Sequence, residues 1–258
     1  MFSLADLTRW PQTGVHLAVV GMPVAHSLSP QMHSAAMACM AQTQPIFGNW
    51  HYHRFEVPTT HLKAALEAFS AAGFLGLNLT LPHKVQALDL VEETDPEADE
   101  IGAVNTLMRR GDGTWYGTNT DAYGLQQGLR RSLGVEIPGA QVVVLGAGGA
   151  ARAAIVHCRR LGCARLMVGN RSAGRLVELL EALPEAPDGP PVETFEIEHP
   201  PADFPPNAVV INATSLGLKA DDPSPVPPSA LGPSMTVYDM TYGVENGLSR
   251  AAKAVDAA

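Results

Sequence analysis

Six small residues, Gly146-Ala147-Gly148-Gly149-Ala150-Ala151, stand between the apolar run QVVVL (141–145) and the helix-forming stretch RAAIVHCRRLG (152–162). In that setting Gly146 allows a tight turn and Gly148 lets the backbone approach a pyrophosphate. Gly149 and Ala150 keep the start of the helix clear for the anion, and Ala151 fills the small third position. A site for an unphosphorylated ribose places Asp or Glu about 20 residues further on, where it bonds the 2′-hydroxyl. This chain has Asn170-Arg171-Ser172 there, with Arg175 one helical turn later. A guanidinium pairs with a phosphate dianion and offers little to a neutral hydroxyl. Two arginines at a helix start, where the dipole disfavours cations, are otherwise hard to explain. NADP is therefore the expected cofactor, in preference to NAD.

Four further motifs set polar residues beside glycine or proline turns: GMPVAHSLSPQMH (21–33), GLNLTLPHK (76–84), GAVNT (102–106) and GTNTDAYG (117–124). In the first, Ser27 and Ser29 are two residues apart, so in an extended segment both hydroxyls turn to one side and can reach one anionic group. Pro30 suits a first helical turn, whose free N–H groups and dipole act at the same spot. Ser29-Pro30 can equally begin the helix as a cap, and the two roles can coexist. His51 and His53 share one face of a possible strand with no evident third ligand, so no metal is expected.

These groups need elements to hold them, and the chain has the alternation of short apolar runs and alanine-rich stretches typical of α/β layering. Strands are expected at VHLAVV (15–20), FLGLNLTLP (74–82), QVVVL (141–145), ARLMVGN (164–170), AVVIN (208–212) and MTVYDM (235–240). Helices are expected over 30–42, 59–72, 85–100, 152–162, 173–183 and 247–257, and a hairpin where AVNTLMRR meets GDGTWYG. The Pro-rich stretch 184–206 reads as a connection. The resulting architecture is an α/β domain over 1–112 followed by a doubly wound, dinucleotide-binding domain over 113–243. The last helix (244–258) is expected to pack back on the first domain.

Length and composition fit this plan. The 258 residues are 46% hydrophobic and 17% charged, enough to build sizeable cores and too apolar for wholesale disorder. A net charge of -9 argues against a general nucleic-acid or anionic-membrane binder. Three cysteines, Cys39, Cys158 and Cys163, form neither an even framework nor a CxxC pair, which favours a reducing compartment and a cytoplasmic location. The opening MFSLADLTRWPQTG lacks a signal-peptide pattern, and no apolar run is long enough to span a bilayer.

Taken in order, from HSLSP to YDMTYG (238–243), the motifs resemble those of the shikimate dehydrogenase family over nearly the whole chain. The resemblance implies a substrate domain plus a Rossmann-type NADP domain. It also implies NADP-dependent interconversion of shikimate and 3-dehydroshikimate in chorismate and aromatic amino-acid biosynthesis, by a monomer or homodimer. It makes Ser27 and Ser29 partners of the substrate carboxylate, places Asn78 and Thr80 in the pocket, and adds Asn105 and Tyr242. Lys84 and Asp121 match the catalytic pair: Lys84 as proton shuttle or as a fixed cation polarising the oxygen, Asp121 orienting it and bonding the hydroxyl. On the cofactor side it implies the loop Gly146, Ala147, Gly148, Gly149 and Ala150, then Asn170, Arg171, Ser172 and Arg175. Thr214 and Met240 fall near the nicotinamide. The pattern departs at the end, where the run after Tyr242 is a residue shorter than the family's. The family's further segment, with a glycine near the nicotinamide and a glutamine on the substrate, has no counterpart before Ala258. The alternatives are a quinate/shikimate dehydrogenase, which an acidic residue at 171 would have favoured, and a catalytically impaired NADP-binding homologue. A Rossmann dehydrogenase acting on folate or another carbonyl compound would leave the HSLSP pocket without a role.

Overall fold

The structure, a computed structural model, describes residues 1–186, 189–242 and 245–258. Gly243 and Val244, the last residue of the YDMTYG motif and the first of the expected last helix, lie outside the described residues, as do positions 187 and 188 of the Pro-rich stretch.

The chain forms two compact units. The first comprises Met1–Asp99 and Ala103–Asn119, the second Glu100–Gly102 and Thr120–Ala258. In the first, a six-stranded sheet is built from β1 (Val15–Gly21), β2 (Trp50–Glu56), β3 (Gly76–Leu79), β4 (Glu93–Thr94), β5 (Thr106–Arg109) and β6 (Trp115–Thr118), in the order β2-β1-β3-β5-β6-β4. β1 runs parallel to both β2 and β3, whereas β5 is antiparallel to β3 and β6. The expected hairpin is present as β5–β6, and it carries the first unit through Asn119, past the expected boundary at 112, because β6 belongs to this sheet. Helices α1 (Ser29–Ala41) and α2 (Leu62–Ala71) follow β1 and β2. The acidic stretch 85–100 is not one helix. It divides into a 3-10 turn (Gln86–Leu90), β4 and the short α3 (Pro96–Ile101), because Trp115 draws the chain to the sheet edge: Glu92 accepts its backbone N–H through a side-chain oxygen, and the Glu92 N–H bonds the Trp115 carbonyl.

Alternation along the strands divides the first unit's core. Ala18, Val20, Leu77, Leu79 and Phe55 pack with Leu62, Leu66 and Phe69 of α2, while Val19 and Tyr52 face the other way with Met37 of α1.

The second unit has five parallel strands, β7 (Gln141–Leu145), β8 (Arg165–Asn170), β9 (Val192–Glu196), β10 (Val209–Asn212) and β11 (Thr236–Asp239), ordered β11-β10-β7-β8-β9. The strand order reverses at β7 and β10, which defines a topological switch point at their carboxyl ends. β9 lies inside the Pro-rich stretch that reads as a connection. Val142 and Val144 face α4 (Asp121–Leu133), α5 (Gly149–Arg160) and α6 (Ala173–Glu181) through Leu125, Leu129, Ile155 and Leu176. Val143 and Leu145 face the opposite layer. There the last helix, α7 (Gly247–Ala254), places Leu248 and Ala251, which corrects the expectation that it returns to the first domain. Its apolar stripe is satisfied by the second unit's own sheet.

His51 and His53 do acquire a third histidine, His16 of β1, but as a hydrogen-bonded stack. His16 Nε2 donates to the Thr13 carbonyl at 3.0 Å, so its Nδ1 is the lone-pair nitrogen that accepts from His53 Nε2 at 3.0 Å. Trp10, Phe2 and Phe74 pack around the pair. Burial, reinforced by the neighbouring His16 and His51, lowers His53 to about 4, and burial also lowers His16. Both rings are held neutral, so the unfolded chain takes up protons first as pH falls below its ordinary value of 6.5. The contribution of this pair to stability is full above about pH 6.5 and drains as pH falls toward about 4. His53→Gln, which keeps a donor toward His16 but cannot titrate, should flatten the decline of the thermal midpoint between neutral and acid pH. An equal decline in wild type and variant would place the acid sensitivity elsewhere.

Candidate active site

In the first unit, β1 and β3 are adjacent and parallel, so the loops that leave them start at the same edge of the sheet. Their contact is close. Thr80 N–H donates to the Val20 carbonyl at 3.0 Å and Met22 N–H to the Leu81 carbonyl at 2.9 Å. β5 runs antiparallel, so Asn105, just before it, sits at that same edge and receives Leu79 N–H on its carbonyl at 2.7 Å. Lys84 is tied in by its own carbonyl, which accepts from Val104 N–H at 2.8 Å. The expected residues Ser27, Ser29, Asn78, Thr80, Lys84 and Asn105 therefore gather at one end of one sheet.

Ser27 is buried, and α1 begins at Ser29 with Leu28 as its cap residue, which makes no side-chain capping bond. Ser27 Oγ donates to Ser29 Oγ at 3.2 Å and accepts the Ser29 N–H at 3.3 Å. The two hydroxyls thus adjoin each other at the amino end of a 13-residue helix, where the helix dipole favours an anion. The Asn78 amide lies between two further side chains: its Oδ1 accepts from Tyr52 Oη at 2.6 Å and its Nδ2 donates to Thr106 Oγ1 at 3.0 Å. Thr106 in turn donates to Asn105 Oδ1 at 2.8 Å. Next to Lys84, His83 is fully buried with Nε2 donating to the Val57 carbonyl at 2.9 Å, and burial lowers its pKa.

In the second unit, Asp121 is the first residue of α4 and Tyr242 is exposed just beyond β11. The glycine loop occupies the carboxyl end of β7. Gly146 has φ +119°, and a Cβ there would stand 2.9 Å from the Ala213 carbonyl oxygen, so glycine is required twice over. At Gly148 an added Cβ would meet nothing within 4 Å, leaving open space over the backbone that starts α5 with Gly149 and Ala150. Ala147 packs against the core beneath. That is the cradle a pyrophosphate needs.

Past β8, Asn170 Nδ2 donates to the Ser172 carbonyl at 3.1 Å, and Ser172 caps α6 by accepting the Arg175 N–H at 3.4 Å. Arg171 and Arg175 are exposed. Among the described residues neither guanidinium makes a hydrogen bond or an ion pair, so both arginines of this helix start carry unpaired, exposed charges. Thr214 donates from its N–H and Oγ1 to Asn212 Oδ1, at 3.0 and 2.7 Å, and Met240 N–H bonds the Asn212 carbonyl at 3.0 Å.

Sequence reasoning passed over the groups behind these loops. Asn212, fully buried, donates to Asp239 Oδ1 at 2.9 Å, and Asn246, the cap of α7, donates to Asp239 Oδ2 at 2.8 Å. Asp239 thereby locks the loops after β10 and β11 and the start of α7. The available signal was a polar residue ending each apolar strand, in AVVIN and TVYD.

Residues 19–107 match the family described as the shikimate dehydrogenase substrate binding domain. A shikimate dehydrogenase (NADP(+)) of Rubrobacter xylanophilus is 38% identical over 239 residues, covering 92% of this chain and 81% of the relative. Among solved structures, a shikimate dehydrogenase of Aquifex aeolicus aligns with a TM-score of 0.80 at 31% identity, covering 95% of this chain and 85% of the other. A shikimate 5-dehydrogenase of Thermus thermophilus, in complex with NADP(H) and shikimate, aligns with a TM-score of 0.75 at 33% identity, covering 94% and 85%.

The unpaired arginines yield a direct expectation. A charge-assisted hydrogen bond contributes about 1.5–3 kcal/mol. Arg171→Ala should weaken binding of the 2′-phosphorylated dinucleotide by roughly ten- to a hundred-fold, with the unphosphorylated form little changed. Equal losses for both, measured by titration calorimetry, would make the arginine structural.

Proposed function

This chain belongs to the shikimate dehydrogenase family, and we infer that it is an NADP-dependent oxidoreductase interconverting shikimate and 3-dehydroshikimate on the route to chorismate and the aromatic amino acids. The observation that carries this reading is the match along nearly the full chain to an NADP-dependent relative, with two unpaired arginines where a 2′-phosphate would sit.

When bound, the nicotinamide supplies the hydride chemistry at the alcohol carbon. The chain's own residues then bind the substrate, orient it and manage the hydroxyl proton. Ser27 and Ser29 hold the carboxylate at the amino end of α1, and Asn78, Thr80, Asn105 and Tyr242 hydrogen-bond the ring substituents. Lys84 serves the reacting oxygen as a proton shuttle or a fixed cation, and Asp121 accepts from the reacting hydroxyl. The open backbone at Gly148 and the small residues Ala147, Gly149 and Ala150 admit the pyrophosphate, while Asn170 and Ser172 shape the turn that presents Arg171 and Arg175. Thr214 and Met240 line the nicotinamide end. Among the described residues no helix is long and apolar enough to cross a membrane. The three cysteines are free, which supports a reducing, cytoplasmic location.

Initial rates with shikimate, quinate and aminoshikimate, each with NADP and NAD, test the assignment. Shikimate with NADP should be the preferred pair, and a preference for quinate would overturn it.

General acid–base groups contribute about 10²–10⁴ in rate, so Lys84→Ala should remove most turnover while leaving shikimate affinity within a few-fold. Asp121→Asn should lower turnover and weaken binding together. Near-normal turnover in Lys84→Ala would take the lysine out of the mechanism. Ser27→Ala should raise KM for shikimate more than it lowers kcat, because a remote contact is made in ground and transition states alike. A change in thermal stability alone would reduce Ser27 to a turn former.

A further inference from the structure

Strand β2 supplies none of the substrate residues assigned above, yet one of its faces is bonded to two of them. Trp50, Tyr52 and Arg54 alternate with His51, His53 and Phe55, and the first set looks toward α1. Tyr52 stacks on His33 of α1 with ring centroids 4.2 Å apart and planes inclined by 10°, and its hydroxyl donates to Asn78 Oδ1. Two residues on, the Arg54 guanidinium reaches the loop between β1 and α1. Nη1 donates to the Ala25 carbonyl and Nη2 to the Ser27 carbonyl, so the Ala25–His26 and Ser27–Leu28 peptides, which flank the His26–Ser27 peptide, are held by one planar group.

We propose that Tyr52 and Arg54 are positioning residues of the substrate pocket, Arg54 fixing the backbone that carries Ser27 and Tyr52 fixing which end of the Asn78 amide is presented. An asparagine amide can turn over, exchanging donor for acceptor. With Tyr52 donating to Oδ1, Nδ2 is committed to the Thr106 side, and Thr106 passes the same direction on to Asn105 Oδ1. The chain of donors thus sets the polarity of both pocket amides. The loop carbonyls have an analogous constraint. The turn has one internal backbone bond near Ser27, from its N–H to the Val24 carbonyl at 3.0 Å, so the guanidinium supplies the anchorage that the short loop lacks. Neither side chain is assigned contact with substrate; each acts through Ser27 or Asn78.

This inference rests on the shikimate reading. The test is steady-state kinetics with shikimate and NADP on wild type, Arg54→Met, Arg54→Lys and Tyr52→Phe, repeated in the Ser27→Ala and Asn78→Ala backgrounds. Loss of one hydrogen bond corresponds to about a ten-fold change. Arg54→Met and Tyr52→Phe should raise KM for shikimate about ten-fold, with kcat within about two-fold and KM for NADP unchanged. Arg54→Lys, which keeps the charge but not the fork, should fall between wild type and Arg54→Met. In the Ser27→Ala background the Arg54 effect should largely vanish, as should the Tyr52 effect in Asn78→Ala, because coupled residues are not additive. Effects that remain full and additive in those backgrounds, or that fall equally on NADP, overturn the proposal. Should Arg54→Met fail to fold, Arg54→Lys and Tyr52→Phe carry the same comparison. A wild-type chain that neither binds nor oxidises shikimate removes the functional reading and this role with it. Turnover by wild type with unshifted variants removes the positioning role alone.

Discussion

Both sheets depend on a strand end where no side chain can fit. In the first unit a Cβ at Gly21 would collide with the Thr80 methyl and stand 3.0 Å from the Leu81 carbonyl oxygen. In the second, the same addition at Gly146 would meet the Ala213 carbonyl. The cause is common to both: adjacent parallel strands finish at one edge, and the loops that leave them must pass within contact distance. That closeness gathers Ser27, Thr80 and Lys84 in one unit, and sets the glycine loop beside Thr214 in the other. Any residue larger than glycine at either point would push the loops apart, and the polar groups would disperse.

The elements that carry strong periodicity or glycine punctuation were legible in the residues. β1, β7 and β8 lie where their apolar runs stand, and the loop after β7 makes the tight turn that Gly146 implies. Less legible was whatever depended on a partner far away in the chain. The stretch 85–100 has helical composition, but Trp115 recruits its middle to a sheet edge, and tertiary pairing overrides propensity. β9 is hidden among prolines because its identity comes from pairing with β8. The amphipathic stripe of α7 announced that it must pack, and nothing local said on which sheet.

The candidate site shows the same division. The serines, the arginines and the glycine loop are readable because their chemistry is written in adjacent residues. Tyr52, Arg54, Asn212, Asp239 and Asn246 are different. The bonds that give them their roles reach across seven to 29 positions of sequence, from Asn246–Asp239 to Arg54–Ala25. Each looks like an ordinary strand or loop residue until the fold delivers its partner. Such groups immobilise the residues that meet ligand, and an amide or carboxylate buried without its partners would destabilise the fold.

The cofactor role proposed for the exposed arginines at the start of α6 carries a kinetic consequence. The chain as a whole carries a net charge of -9, and the cofactor is itself an anion, so long-range encounter is repulsive on average. Arg171 and Arg175, unneutralised by any described carboxylate, form a small positive island in that field. Its reach is set by the Debye length, about 8 Å at physiological ionic strength and about 30 Å at 0.01 M. With the cofactor role proposed for these arginines, capture would be a short-range event at physiological ionic strength, governed by the last ångströms of approach, and dilute buffers would lengthen both the repulsion and the attraction.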